Sequence, residues 1–99
     1  MLYAIFGVDA PDSLSRRAAA RPAHLARMEV LLAEGRLVLA GPHPAIDSPD
    51  PGPAGFSGSL IVAEFDSLEA AEAWAAEDPY VTSGTFTAVT VKPFRQTLP

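Results

Sequence analysis

No cysteine occurs in the 99 residues, which removes disulfides, thiolate nucleophiles and cysteine-based zinc or iron–sulfur sites together. Basic charge is scarce as well. Seven Lys and Arg stand against twelve Asp and Glu, giving a formal charge of −5, and no stretch gathers the cations. A nucleic-acid backbone finds no electrostatic footprint on such a chain, so no nucleic-acid partner is expected. No apolar run approaches the roughly 20 residues needed to span a bilayer. The opening "MLYAIFGVDAPD" has no basic residues ahead of its short apolar run, unlike a secretory leader. A soluble, cytoplasmic protein with no membrane partner is the expectation. The glycines of "PDPGPAGFSG" are separated by prolines and accompanied by no Lys, so no phosphate-binding loop is present. His24 and His43 stand nineteen residues apart without clustered acids. No metal and no cofactor is expected.

The hydrophobic content of 48% is enough for a modest core, and residues 1–99 read as a single domain. "LYAIFGV" is rich in β-branched and aromatic residues and closes on the turn residues "DAPDS", which reads as a first strand. "SLSRRAAA" reads as a short helical piece capped by Asp12 or Ser13, and Pro22 as the start of the main helix or a kink in it. Gly35 ends that helix, "RLVLAG" is a second strand, and the proline-rich residues 42–57 are expected to form one long irregular loop. "GSLIVAEF" is a third strand. Asp66 and Glu69 have capping-box spacing ahead of the helix "SLEAAEAWAAE", which must end near Asp78 because Pro79 follows. "TFTAVTVKPF" is a fourth strand. The order β-α-β-β-α-β defines an α+β class with an antiparallel sheet, the ferredoxin-like split βαβ arrangement. RNA-recognition domains share this order, but "SGSLIVAEF" has Ser59, Leu60 and Ile61 where cation and stacking rings should stand.

Both faces of the strands are apolar. Leu2, Ala4, Phe6 and Val8 oppose Tyr3 and Ile5; Leu37 and Leu39 oppose Val38 and Ala40; Leu60 and Val62 oppose Ile61, Ala63 and Phe65. Two helices cover one face of four strands, so the other face calls for a second copy of the chain, and a homodimer is expected. On the main helix, Leu25, Met28, Leu31 and Leu32 share one arc, and His24 lies at its edge. Asp78 falls at the C-terminal end of the second helix, where the macrodipole disfavours an acid. A hydrogen bond between the two would fix the imidazole tautomer and leave one ring nitrogen for proton transfer.

The phrases "RPAHLARMEVLLAEGRLVLAGP", "DSPDPGPAGFSGSLIVAEFDSLEAAEAWAAEDPYV" and "VKPF" resemble the YciI-like (YCII-related) proteins across essentially the whole chain. The resemblance implies a dimeric α+β barrel whose ferredoxin-like subunits pack sheet to sheet. It also implies a pocket with a His–Asp pair, which falls on His24 of "PAHL" and Asp78 of "EDPY". Some similar proteins are enzymes of aromatic-ring breakdown, including dehydrochlorinase-type lyases.

Around that pair, Ser59 and Tyr80 are the expected substrate-binding residues, while His43 reads as a solvated loop residue and Trp74 as packing. A Ser59–His24–Asp78 triad is not expected, because no Gly-x-Ser-x-Gly elbow exists. The expected function is a cofactor-independent enzyme of lyase or isomerase type, with His24 and Asp78 acting on a small organic molecule. The alternative is a non-catalytic ligand-binding or interaction module using the same dimer pocket.

Overall fold

The computed structural model describes residues 1–99. β1 (Leu2–Asp9) is followed by α1 (Leu14–Ala33), β2 (Leu37–Pro44), β3 (Phe56–Glu64), α2 (Leu68–Ala76), the single turn α3 (Pro79–Thr82) and β4 (Phe86–Phe94). The strands form one antiparallel sheet in the order β2-β3-β1-β4, with β1 and β3 central. This is the ferredoxin-like βαββαβ arrangement of the α+β class, the subunit fold of the dimeric α+β barrels.

One face of the sheet carries the core. Tyr3, Ile5, Ile61, Ala63 and Phe65 meet Met28 and Leu31 of α1 and Ala71 and Ala75 of α2. The opposite face holds Leu2, Ala4, Phe6 and Val8 of β1, in register with Val62 and Leu60 of β3 and with Lys92, Thr90 and Ala88 of β4. No helix covers it, and Phe6 and Val8 are exposed by 39% and 50%.

Several local expectations are corrected. α1 is one continuous helix through Pro22. Proline leaves the Ala18 carbonyl without its helical donor, but Ala18 and Pro22 are both exposed, so water can replace that bond. Ser13 is the N-cap residue, yet its hydroxyl donates to Asp9 rather than capping the helix. For α2 the N-cap is Ser67 and not Asp66: the Ser67 hydroxyl accepts from the Ala70 N–H. Residues 42–57 are not wholly irregular, because β2 runs through Pro42 and Pro44 and a 3-10 turn forms at Gly52–Ala54. β2 is an edge strand, where a missing N–H costs no ladder bond. A register shift between Leu37 and Leu39 sends Leu37 to the core and leaves Leu39 on the open face. Strict alternation therefore fails at Val38.

The two central strands approach tightly at Gly58, near the end of their ladder. A Cβ there would overlap the carbonyl oxygen of Gly7 on the neighbouring strand, and backbone cannot rotate away as a side chain can. We predict that Gly58→Ala lowers unfolding stability by about 1–3 kcal/mol, the usual cost of overpacking. Urea midpoints compared with those of wild type check this, and an unchanged midpoint contradicts it.

Candidate active site

The site begins with Asp78. α2 ends at Ala76, and the chain turns through Glu77 into α3, of which Asp78 is the N-cap. Its Oδ1 accepts from the Tyr80 N–H at 2.9 Å. The acid that follows the unfavourable C-terminal end of α2 thus caps the next helix, where a carboxylate is favourable. The same carboxylate accepts from His24 Nδ1, at 2.8 Å to Oδ1 and 3.0 Å to Oδ2, and from Arg27 Nη1 at 3.2 Å. Asp78 and His24 are both buried. Arg27 also donates to the Trp74 carbonyl and lies 4.2 Å from the indole centroid, which ties α1 to α2 beside the pair.

With Nδ1–H directed at a carboxylate, the neutral imidazole carries its lone pair on Nε2. Nε2 has no protein partner, and His24 lines a cavity of about 320 Å³. Its walls include Arg17, Arg21, Leu25 and Met28 from α1, Gly41 and Pro42 from β2, Phe56 and Ser59 from β3, and Tyr80. The two ends of the 42–57 stretch therefore form part of the wall. The Tyr80 ring stacks on the His24 imidazole, with centroids 4.0 Å apart and planes inclined by 15°.

Arg17, which the sequence pattern did not single out, supports the cavity floor. It is 95% buried. Its guanidinium grips Asp9 through Nε and Nη2, each at 2.9 Å, and its Nη2 also donates to the Gly58 carbonyl at 3.0 Å and to Ser59 Oγ at 2.9 Å. Its Cζ stands 4.7 Å from the Tyr80 ring centroid. The buried stripe of α1 is Arg17, His24, Met28 and Leu31, whereas Leu32 is exposed by 63%. The seven-residue step from Arg17 to His24 is two helical turns, a signal that could have placed Arg17 on this stripe.

His24, Asp78, Ser59 and Tyr80 are thus brought together. His43 is exposed on β2 and faces a separate, open hollow, and Trp74 packs on Phe65. A second depression between α2 and β4, lined by Ala75, Val81, Phe86 and Val89, contains none of these polar groups. No cluster of three or more His, Asp or Glu side chains has the spacing to hold a metal ion. No helix is long and apolar enough to cross a membrane.

Fold and cavity together define a small α+β protein with a His-lined pocket between its long helix and the β2–β3 edge of its sheet. The chain belongs to the YCII-related domain family, whose profile matches residues 1–95. Protein YciI of Escherichia coli O6:H1 is 59% identical over 96 residues, covering 97% of this chain and 98% of that protein. An uncharacterized protein of Haemophilus influenzae is 52% identical over the same coverage. Among solved structures, 5-chloro-2-hydroxyhydroquinone dehydrochlorinase (TftG) from Burkholderia phenoliruptrix AC1100, in complex with 2,5-dihydroxybenzoquinone, matches with a TM-score of 0.82 and 27% identity. That match covers 96% of this chain and 94% of the other.

Burial pushes the Tyr80 hydroxyl above its ordinary value of 10.0; the charges of Arg17 and Arg21 and a hydrogen bond from Arg17 pull it back, and Asp78 adds to the rise. The folded state thus holds the phenol proton more tightly than the unfolded chain. The resulting stabilisation is full below the unfolded value and is lost as pH rises through the folded one. We predict that wild type loses stability above a pH of about 10 more steeply than Tyr80→Phe does. Denaturation midpoints across that range check this, and parallel curves contradict it.

Proposed function

We propose that the chain is an enzyme of proton transfer coupled to elimination or isomerisation, acting on a small, oxygen-rich organic molecule of single-ring size. The observation that carries this reading is the His24 Nδ1 bond to Asp78 with Nε2 on the cavity. His24 accepts a proton on Nε2, and Asp78 stabilises the imidazolium that forms. Positioned acid–base groups of this kind supply about 10²–10⁴-fold in rate, which suits substrates whose protons are already acidified by a carbonyl or a ring. The cavity volume stands at the small end of ligand pockets, which run from about 300 to 1,000 Å³.

The resemblance to a dehydrochlorinase supports a chlorinated hydroquinone as the first substrate to try. The chemistry balances without a further reagent. His24 Nε2 takes the proton of the hydroxyl next to the chlorine-bearing ring carbon, and the imidazolium so formed returns it to that carbon, which becomes tetrahedral as the oxygen becomes a carbonyl. Loss of the opposite hydroxyl proton then drives an electron pair through the ring and expels chloride with the C–Cl bonding pair. The products are a quinone and HCl, and His24 is back in its starting state.

We predict that wild type releases chloride from 5-chloro-2-hydroxyhydroquinone, and that His24→Asn lowers the rate at least about 10²-fold while its thermal unfolding stays close to wild type. Binding without chloride release or ring isomerisation, across hydroxylated and halogenated rings and their ring-cleavage lactones, favours a ligand-binding module instead.

The open apolar sheet face belongs to the same reading. A second copy packed face to face with twofold symmetry would remove Phe6, Val8, Leu39 and Phe94 from water. Sedimentation at micromolar concentration should give twice the chain mass of 10.4 kDa. A monomer under those conditions contradicts the dimer.

A further inference from the structure

Although the protein as a whole is acidic, with a formal charge of −5, not one Asp or Glu lines the cavity. Two arginines do. Arg17 has its charge matched by Asp9, and Asp78 behind the wall is matched by His24 and Arg27. Arg21 differs from both. It lies on the exposed side of the cavity, one turn before His24, and forms no ion pair and no side-chain hydrogen bond. Its charge has no counterpart in the protein.

Ser59 carries the same polarity. Arg17 Nη2 donates to Ser59 Oγ at 2.9 Å, so a lone pair of that oxygen is already engaged, and its O–H is the part left to offer a ligand. The Tyr80 phenol, held in its protonated form to high pH by burial, is a donor too. The polar side chains on the cavity are therefore cations or hydrogen-bond donors, with the single exception of His24 Nε2. A wall of donors around one acceptor is the complement of a ligand that is all acceptor except for one proton.

From this arrangement we propose that the site selects an anion, a deprotonated hydroxyquinone or comparable planar oxyanion, and that Arg21 is the side chain that recognises its charge. The ligand's charged oxygen faces Arg21 and Ser59, and any hydroxyl proton that it retains faces His24. This deepens the acid–base reading and rests on it for the role of His24. The charge selection is separable, because it is read by binding alone. Arg21 touches the ligand's charge and takes no part in moving the proton.

Calorimetry with 2,5-dihydroxybenzoquinone, which is anionic at neutral pH, and with its neutral dimethyl ether gives the test. Wild type is expected to bind the anion at least about tenfold more tightly at low salt, with the difference shrinking as salt is added. Arg21→Gln should lose most of that preference, Arg21→Lys should keep part of it, and His24→Asn should keep it. Equal affinity for the two compounds, an undiminished preference in Arg21→Gln, or no binding of the anion overturns the proposal. If the preference is absent while chloride release still depends on His24, charge selection falls and the acid–base reading survives. If the preference holds and no His24-dependent turnover is found, charge selection stands and the acid–base reading falls.

Discussion

The Asp78 carboxylate is the knot of this structure. It takes hydrogen bonds from the Tyr80 N–H of α3 and from His24 Nδ1 and Arg27 Nη1, both on α1. In one buried position it caps α3, anchors the middle of α1 and orients the imidazole. A buried carboxylate is costly unless its lone pairs are filled, and here they are filled by groups of which two can carry positive charge. The geometry of the candidate site is thus coupled to the packing of α1 against the α2–α3 junction. An alteration that loosens either helix reaches His24 directly.

A second buried pair carries the other half of the cavity. Asp9 holds Arg17 through two bonds, and Arg17 in turn fixes Ser59 and the Gly58 carbonyl. Because β1 and β3 are the central strands, this pair links the end of the sheet to the first turn of α1. Gly58 and Gly7 leave room for that approach, since a side chain at Gly58 would collide with the neighbouring strand and one at Gly7 with the Phe86 ring. Cavity and fold share these residues, so the packing of the two central strands sets the geometry of the cavity floor.

The strands and their order were legible in the sequence because hydrophobic runs bounded by turn residues carry that signal locally. The two apolar sheet faces could be read from Leu2 through Val8 alone. His24 was visible as a polar residue on an otherwise buried stripe. Arg17 was not, because an arginine near a helix start reads as solvated until its partner Asp9 is known, and that partner lies on another element. The register shift near Val38 breaks a period of two in a way no pattern announces. The prolines of β2 suggest irregular chain for a related reason: whether a strand lies at an edge is a property of the sheet and not of the segment. Asp78 reads as unfavourable in the sequence because nothing local announces the one-turn helix that opens at Pro79.

The account rests on a lone pair at His24 Nε2, and the tautomer of that ring is its most direct test. Long-range proton–nitrogen correlation spectra of the nitrogen-15-labelled protein distinguish the two ring nitrogens, with His24→Asn identifying the signals. For the neutral ring, the account predicts a proton on Nδ1 and an unprotonated Nε2 in wild type, and mixed tautomers in Asp78→Asn. A wild-type ring with its proton on Nε2 would contradict it, because the nitrogen facing the cavity would then be a donor with no base to offer.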